Sequence, residues 1–402
     1  MGTEPATGPL SGVRVLDLTN VLAGPFACHQ LVHLGAEVIK VEAVGRGDLA
    51  RNLGADPELS AKGMGVSFLA QNAGKASLTL NLKDPRGVDA LKRLVATADV
   101  LVENFRPGVM DRLGVGYEVL KSIKPDLVYC AISGFGQTGP WADRPAYDQI
   151  VQGVSGVMSI TGDAESAPLR VGFPLADTIG GLTAAMAISA ALNAEKRGAF
   201  LDVSMLESVL ATMGWVVSNH LIGGVQPQAN GNENPTSAPS GAFQCADGLI
   251  NISANKDEQW ALLARHLDRE DLLHREDFAT RETRKAHRLQ LKAELETVLT
   301  KRPAGDWARE LNAIGVPSGA VMTVPQVLRH AQIVGREFLA HYDDVAGLDR
   351  AIDLVTVGVT VDGERPKVPA PPPTLGQDST RILAELGYTR DDIESMQNEG
   401  VT

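Results

Sequence analysis

The sequence predicts an α/β fold, a doubly wound parallel sheet flanked by helices, together with a second, smaller α+β domain. Three observations carry this. Short apolar runs alternate with helical stretches from residue 13 onward, which is how a sheet covered on both faces reads. Near Gly223 the alternation breaks, and a segment rich in Gly, Asn, Gln and Pro precedes a new pattern of charged amphipathic helices. A chain of 402 residues is also too long for one ordinary core.

The elements follow in order. VRVLDL (13–18) reads as a buried strand, GPFACHQLVHL (24–34) as a helix with Pro25 in its first turn, and AEVIKVE (36–42) as the next strand. Strand, helix and strand in so short a span make a βαβ unit with a right-handed crossover. Residues 77–81 are extended, 85–97 form an amphipathic helix, and DVLV (99–102) and DLVYCAI (126–132) are strands. Residues 178–194 are a tightly packed small-residue helix, and FLDVSML (200–206) is a strand running into a helix that ends near 220. Residues 224–241 read as an irregular linker. Beyond it come a strand (249–253), helices (257–267, 284–299, 304–314) and a helical return over 325–340. A strand (353–360), the Pro-rich VPAPPP (368–373) and a terminal helix pair (378–387, 390–397) complete the pattern.

The bulk numbers exclude several function classes. The net charge is −12, and no Lys/Arg-rich run offers a groove for nucleic-acid phosphates or an anionic membrane surface. A few placed arginines can still bind an anionic ligand. Cys28, Cys130 and Cys245 are sparse and form no CxxC, which suits a reducing compartment and a cytoplasmic location. The start, MGTEPATGPLSG, has no basic region followed by an apolar stretch, and Ala6 breaks the myristoylation pattern. No uncharged apolar stretch is expected to span a bilayer. His29 and His33 stand four apart on a helix, but no third ligand has recognisable spacing, so no metal is expected. LTNVLAGP holds no GxGxxG, so neither is NAD.

The segment 131–181 carries the chemistry. Gly134-Phe135-Gly136 end a strand, where open α/β sheets admit ligands to the backbone. Asp177 stands just ahead of Gly180-Gly181 and the small-residue helix. One reading makes it an N-cap. The other makes it an ionised nucleophile at a helix start. The two are compatible.

Several stretches, in order, resemble the family III CoA-transferases, the group that contains formyl-CoA transferase, carnitine CoA-transferase and α-methylacyl-CoA racemase. They are residues 15–42, GDLAR (47–51), ADVLVENFRPGVMDRLG (98–114), GFGQTGP (134–140), AYD (146–148), LADTIGG (175–181) and residues 371–389. The resemblance implies a Rossmann-like large domain built from both chain ends (1–222 and 326–402), a small domain at 223–325, and an interlocked homodimer. A few members pair with a homologous second subunit instead. It implies coenzyme A as substrate, carried as an acyl-CoA, and a carboxylic acid as partner substrate.

By the same resemblance Asp177 is the nucleophile, passing through an aspartyl anhydride and an aspartyl–CoA thioester, with succinyl-CoA one donor it allows. Amides of Gly134 and Gly136 are expected to steady the oxyanions. Tyr147 is expected to orient a carboxylate or carbonyl, and Asp148 to fix Tyr147; a core tyrosine is the plainer alternative. Val21, Ala23, Leu80, Asn104 and Arg112 carry over as CoA contacts. Ala43, Ala73 and Ala76 replace basic residues common in the family, so Lys75 or Arg46 is expected to compensate. Racemases of this family carry histidine where Tyr147 stands. An acyl-CoA racemase, or a non-catalytic CoA-binding subunit, is the alternative reading. Oxalate-handling members carry glutamine at the position of Leu22 and a glycine run absent here, which disfavours formyl-CoA:oxalate transfer.

Overall fold

A computed structural model describes residues 8–368 and 370–402. The first seven residues, which hold most of the segment tested above for export and acylation signals, and Pro369 of the Pro-rich run lie outside the described residues. Backbone packing divides the chain into two compact units. The first takes residues through Val157, Arg170–Gly223 and Gln332–Thr402, and the second takes Met158–Leu169 and Gly224–Ala331. Residues 158–169, read from sequence as part of the large domain, thus pack with the second unit.

The first unit is built on six parallel strands, β1 (Arg14–Asp17), β2 (Glu37–Glu42), β3 (Lys75–Thr79), β4 (Val100–Glu103), β5 (Val128–Ser133) and β6 (Ala199–Ser204), in the order β3-β2-β1-β4-β5-β6. This is the doubly wound order, and it reverses between β1 and β4, which opens a crevice beyond their carboxyl ends. The helices are α1 (Ala23–His33), α2 (Pro85–Val95), α3 (Tyr117–Ile123), α4 (Asp148–Val154), α5 (Leu175–Leu192), α6 (Met205–Thr212) and α7 (Gly214–Gly223). α2 starts where the sequence places it, because Asp84 caps Arg86 N–H and Pro85 needs no partner at the first position. Its buried Leu91, Leu94 and Val95 join Leu16, Ile39, Leu101 and Tyr129 in one core.

Gly181 lies where a Cβ would meet the Ala23 carbonyl at 2.6 Å, and Gly180 where one would meet Met205 Cγ at 2.8 Å. The glycine pair therefore lets α5 touch the starts of α1 and α6. α5 is 18 residues long and, by length and composition alone, long and apolar enough to cross a membrane. The stretch is not uncharged, since Asp177 stands in its first turn, so the expectation about uncharged apolar stretches is not overturned.

The second unit holds an antiparallel sheet of β7 (Ser240–Gln244), β8 (Leu249–Ser253) and β9 (Ser318–Ala320) with helices α8 (Asp257–His266), α9 (Arg288–Leu299) and α10 (Ala304–Ala313). Phe243, Ile250, Trp260, Leu295 and Trp307 fill its core. The predicted helix 284–299 is interrupted at His287, and β7 begins inside the predicted linker.

The predicted helical return over 325–340 is two short helices followed by a strand, β10 (Leu339–Tyr342), which pairs with β11 (Ile352–Val355). Helices α11 (Ser379–Glu385) and α12 (Arg390–Asn398) pack beside β3. There Thr79 N–H donates to Ser379 Oγ and Asn81 N–H to the Val401 carbonyl.

Candidate active site

Beyond β1 the chain turns through Asn20, Val21 and Leu22 before α1 begins. Asn104, just past β4, accepts from Asn20 N–H and donates to the Asn20 carbonyl, both at 2.8 Å. Two loops on either side of the switch point are thereby fastened together. They form one wall of a cavity of about 230 Å³. Ile132, Ser133 and Gly134 at the end of β5, Pro145, Ala146 and Tyr147 before α4, Asp177 and Met205 form the rest.

Asp177 lies in the first turn of α5 and Pro174 occupies the cap position, with no side-chain cap bond. The N-cap reading of Asp177 is corrected: its carboxylate is not spent on its own helix. The N-terminus of α5 is served by Asp148 instead. One Asp148 oxygen accepts from Ala176 N–H at 2.8 Å and from Asp177 N–H at 3.4 Å. The other accepts from Gln152 Nε2 at 2.7 Å and from the Arg170 guanidinium at 3.1 Å. None of these bonds goes to Tyr147, so Asp148 does not fix it; two go to the helix that carries Asp177, one to Gln152 on Asp148's own helix and one to Arg170. Tyr147 is 65% exposed and on the cavity wall, which rules out the core-tyrosine reading.

Burial, the neighbouring Asp148 carboxylate and, in opposition, Arg170 set the acidity of Asp177, whose pKa is pushed up to about 7. Gly136 is at φ +88°, and its N–H already donates to Ser133 Oγ at 2.9 Å, so it is not a free oxyanion donor. Gly134 stays on the wall, where a Cβ would collide with Ala146 at 2.2 Å.

Two further cavities adjoin, sharing Asn20 and Phe105 with the first. One, of about 440 Å³, has Val41, Leu80, Arg46 and Lys83 on its walls. The other, of about 760 Å³, has Arg46, Asn52 and Lys62. Val21 and Ala23 line the Asp177 cavity with Asn104, while Arg112 is exposed on a short helix outside all three.

Lys75 is a correction. Its ammonium lies wholly buried, 2.8 Å from Asp17 and 2.9 Å from the Pro25 carbonyl. It belongs to an interior charge cluster and faces no cavity. Lys40 and Asp48 complete that cluster at 2.9 Å, and Glu42 pairs with Arg51 at 2.7 Å beside it. Sequence reasoning gave no role to Asp48, Gln152 or Arg170. The only signal for Asp48 was its place in GDLAR.

A 3-2-1-4-5-6 parallel sheet with an acidic side chain of raised pKa in its switch-point crevice defines an α/β enzyme of the doubly wound class. Residues 10–379 match the model of CoA-transferase family III, and the chain belongs to that family. Human succinyl-CoA:glutarate CoA-transferase is 36% identical over 98% of this chain and 90% of its own length. Acetyl-CoA:oxalate CoA-transferase of Acetobacter aceti is 41% identical over 84% of this chain and 87% of its own. The crystal structure of a CAIB/BAIF family protein from Brucella suis superposes with a TM-score of 0.82 at 34% identity, over 94% of this chain and 99% of that one. The protein is a CoA-transferase.

Proposed function

We propose that this enzyme moves CoA between dicarboxylic acids, with Asp177 as covalent nucleophile. The supporting observation is a carboxyl group poised near neutrality, free of helix capping, on the wall of a crevice that also presents Tyr147. An Asp177 oxygen attacks the thioester carbonyl of the donor, the C–S bond breaks, and CoA leaves as thiolate. The thiolate attacks the aspartyl carbonyl of the resulting anhydride, releases the donor carboxylate and leaves an aspartyl thioester. The acceptor carboxylate attacks that carbonyl and expels the thiolate again. The thiolate then takes the acceptor's acyl carbon, and Asp177 returns as carboxylate. No proton is consumed, and one activated acyl bond is exchanged for another throughout. Water must be kept out, since it hydrolyses either intermediate.

Tyr147, an O–H donor on the same wall, holds the reacting carbonyl or acid. The pantetheine passes Val21, Ala23 and Asn104, and the nucleotide end lies over Leu80 with Arg46 and Lys83 meeting phosphate. Arg46 takes the part that Lys75 cannot. The acids named in the relatives, glutarate and oxalate, are both dicarboxylic, which supports succinyl-CoA as donor and a dicarboxylate as acceptor. Oxalate belongs in the acceptor panel despite Leu22.

Exposed Met186 on α5 and Trp215, Leu221 and Ile222 on α7 support an interlocked homodimer, since large apolar patches mark interfaces. Three buried free thiols support a cytoplasmic location.

The test is trapping. Enzyme given succinyl-CoA, then hydroxylamine or borohydride, is expected to carry its label on the peptide containing Asp177. A label elsewhere, or none alongside deuterium entry at the α-carbon, defeats the proposal in favour of an isomerase.

A further inference from the structure

Among the backbone positions that face the cavity, one is strained. Val21 has φ +68°, in the left-handed region that β-branched residues rarely adopt. Strain of this kind persists only where the surroundings impose it. Here the restraint is visible. Val21 N–H donates to Asp48 Oδ1 at 2.8 Å. The residue before it is gripped on both backbone groups by Asn104. Asp48 is itself fixed: its Oδ1 also accepts from Ala50 N–H, its own N–H donates to Glu42, and its second oxygen is ion-paired with Lys40. Lys40 in turn donates to the Thr19 carbonyl at 2.9 Å, two residues before Val21. The turn therefore rests on a buried carboxylate–ammonium pair. Asp48 is 1% exposed and lines none of the three cavities.

We infer that Asp48 is a positioning residue for CoA transfer: it holds Val21 left-handed and so sets the wall that stands with Asp177 around the reacting carbonyl. It touches no substrate. Its effect travels through one hydrogen bond to a backbone that would otherwise relax. Displacement of a reacting group by a fraction of an ångström is costly where geometry makes the rate. The inference rests on the reading of Asp177 as the group that this wall serves, and deepens it.

Glycine adopts φ near +68° without strain, which supplies the test. In the full-length enzyme, Asp48→Ala, which removes the acceptor, is expected to lower kcat about tenfold or more while KM for acyl-CoA moves less than about threefold. In a Val21→Gly background the same substitution is expected to cost at least about fivefold less, because the turn no longer needs the restraint. All four enzymes are assayed well below their melting temperatures, so unfolding does not enter. If Asp48→Ala does not fold alone, Asp48→Glu, which keeps the charge and displaces the oxygen, replaces it with the same expected coupling. An equal kcat loss in both backgrounds overturns the inference, as does wild-type kcat for the Asp48 variant. Trapping on Asp177 stands apart from this cycle: loss of the label refutes the nucleophile, whereas the Asp48–Val21 coupling is read in turnover whichever group attacks.

Discussion

Two sets of buried carboxylates lie within the same unit, and they are treated in opposite ways. Under β1 and β2, Asp17 is buried, which alone would raise its pKa, but Lys40 and Lys75 outweigh this and hold it far below the usual range. Glu42 is likewise lowered: burial is opposed by Arg51, through a hydrogen bond and charge, and by Lys40. At the start of α5 and the end of β4, Asp177 and Glu103 have no cation strong enough to offset burial, and each is pushed up to about 7. Burial is common to both sets. What separates the lowered set from the one that holds the proposed nucleophile is whether the protein spends an ammonium or guanidinium strong enough to offset burial.

The largest expected effect falls on the reactive side. Asp177→Ala should reduce turnover by about a thousandfold or more, measured by transfer from succinyl-CoA to a panel of dicarboxylates. The same variant should be more stable than wild type at pH 8, by roughly 1–2 kcal/mol in urea melts. The sign follows from a folded pKa of about 7 against an ordinary 3.8. The charged form is disfavoured in the fold, so the cost is full above about pH 7 and gone below 3.8. If the variant gains nothing at pH 8, Asp177 belongs with the compensated set.

On the structural side, Lys75→Met should lower stability by about 3–5 kcal/mol, because it strands Asp17 in the interior with one partner fewer. KM for acyl-CoA should stay within about twofold. A large KM rise with unchanged stability would return Lys75 to the binding site.

The pH profile is the third probe. The free enzyme should lose kcat/KM about tenfold per pH unit below about 7 and be flat above it, as the proposed attack by ionised Asp177 requires. A profile flat to pH 5 would mean that the carboxylate is compensated in solution.

The smallest effect belongs to Glu103, which accepts from Phe105 N–H at 2.8 Å. Glu103→Gln should stabilise the protein by about 1 kcal/mol at pH 8 and not at all below about pH 4.5. The sign is that of Asp177: a raised folded pKa makes the carboxylate a burden only when ionised.

Much of this was legible in the sequence. The pattern of the apolar runs placed all six parallel strands to within a few residues, and LADTIGG marked the start of the helix that carries Asp177. The misses have physical reasons. Asp177 looked like a cap because Asp prefers that position, yet Pro174 occupies it and Asp148, 29 residues upstream, does the capping work. Lys75 looked like a phosphate ligand because lysines are usually solvated, whereas its partner Asp17 is 58 residues away. β7 was hidden in a stretch of Gly, Pro and Asn, since its identity comes from pairing with β8 and not from its own composition. The left-handed backbone of Val21 carried no signal in the sequence, because a valine at positive φ is dictated by its surroundings.

The contact of Gly181 with the Ala23 carbonyl bears on how such a scaffold diversifies. A Cβ at Gly181 would fall 2.6 Å from the Ala23 carbonyl and 2.9 Å from Phe26 Cδ1, so mutation there meets a cliff and not a slope: the first added methyl already collides. Drift toward a new acid must therefore proceed through Leu22, Tyr147 and other loop positions at the rim, while the seam behind them stays frozen.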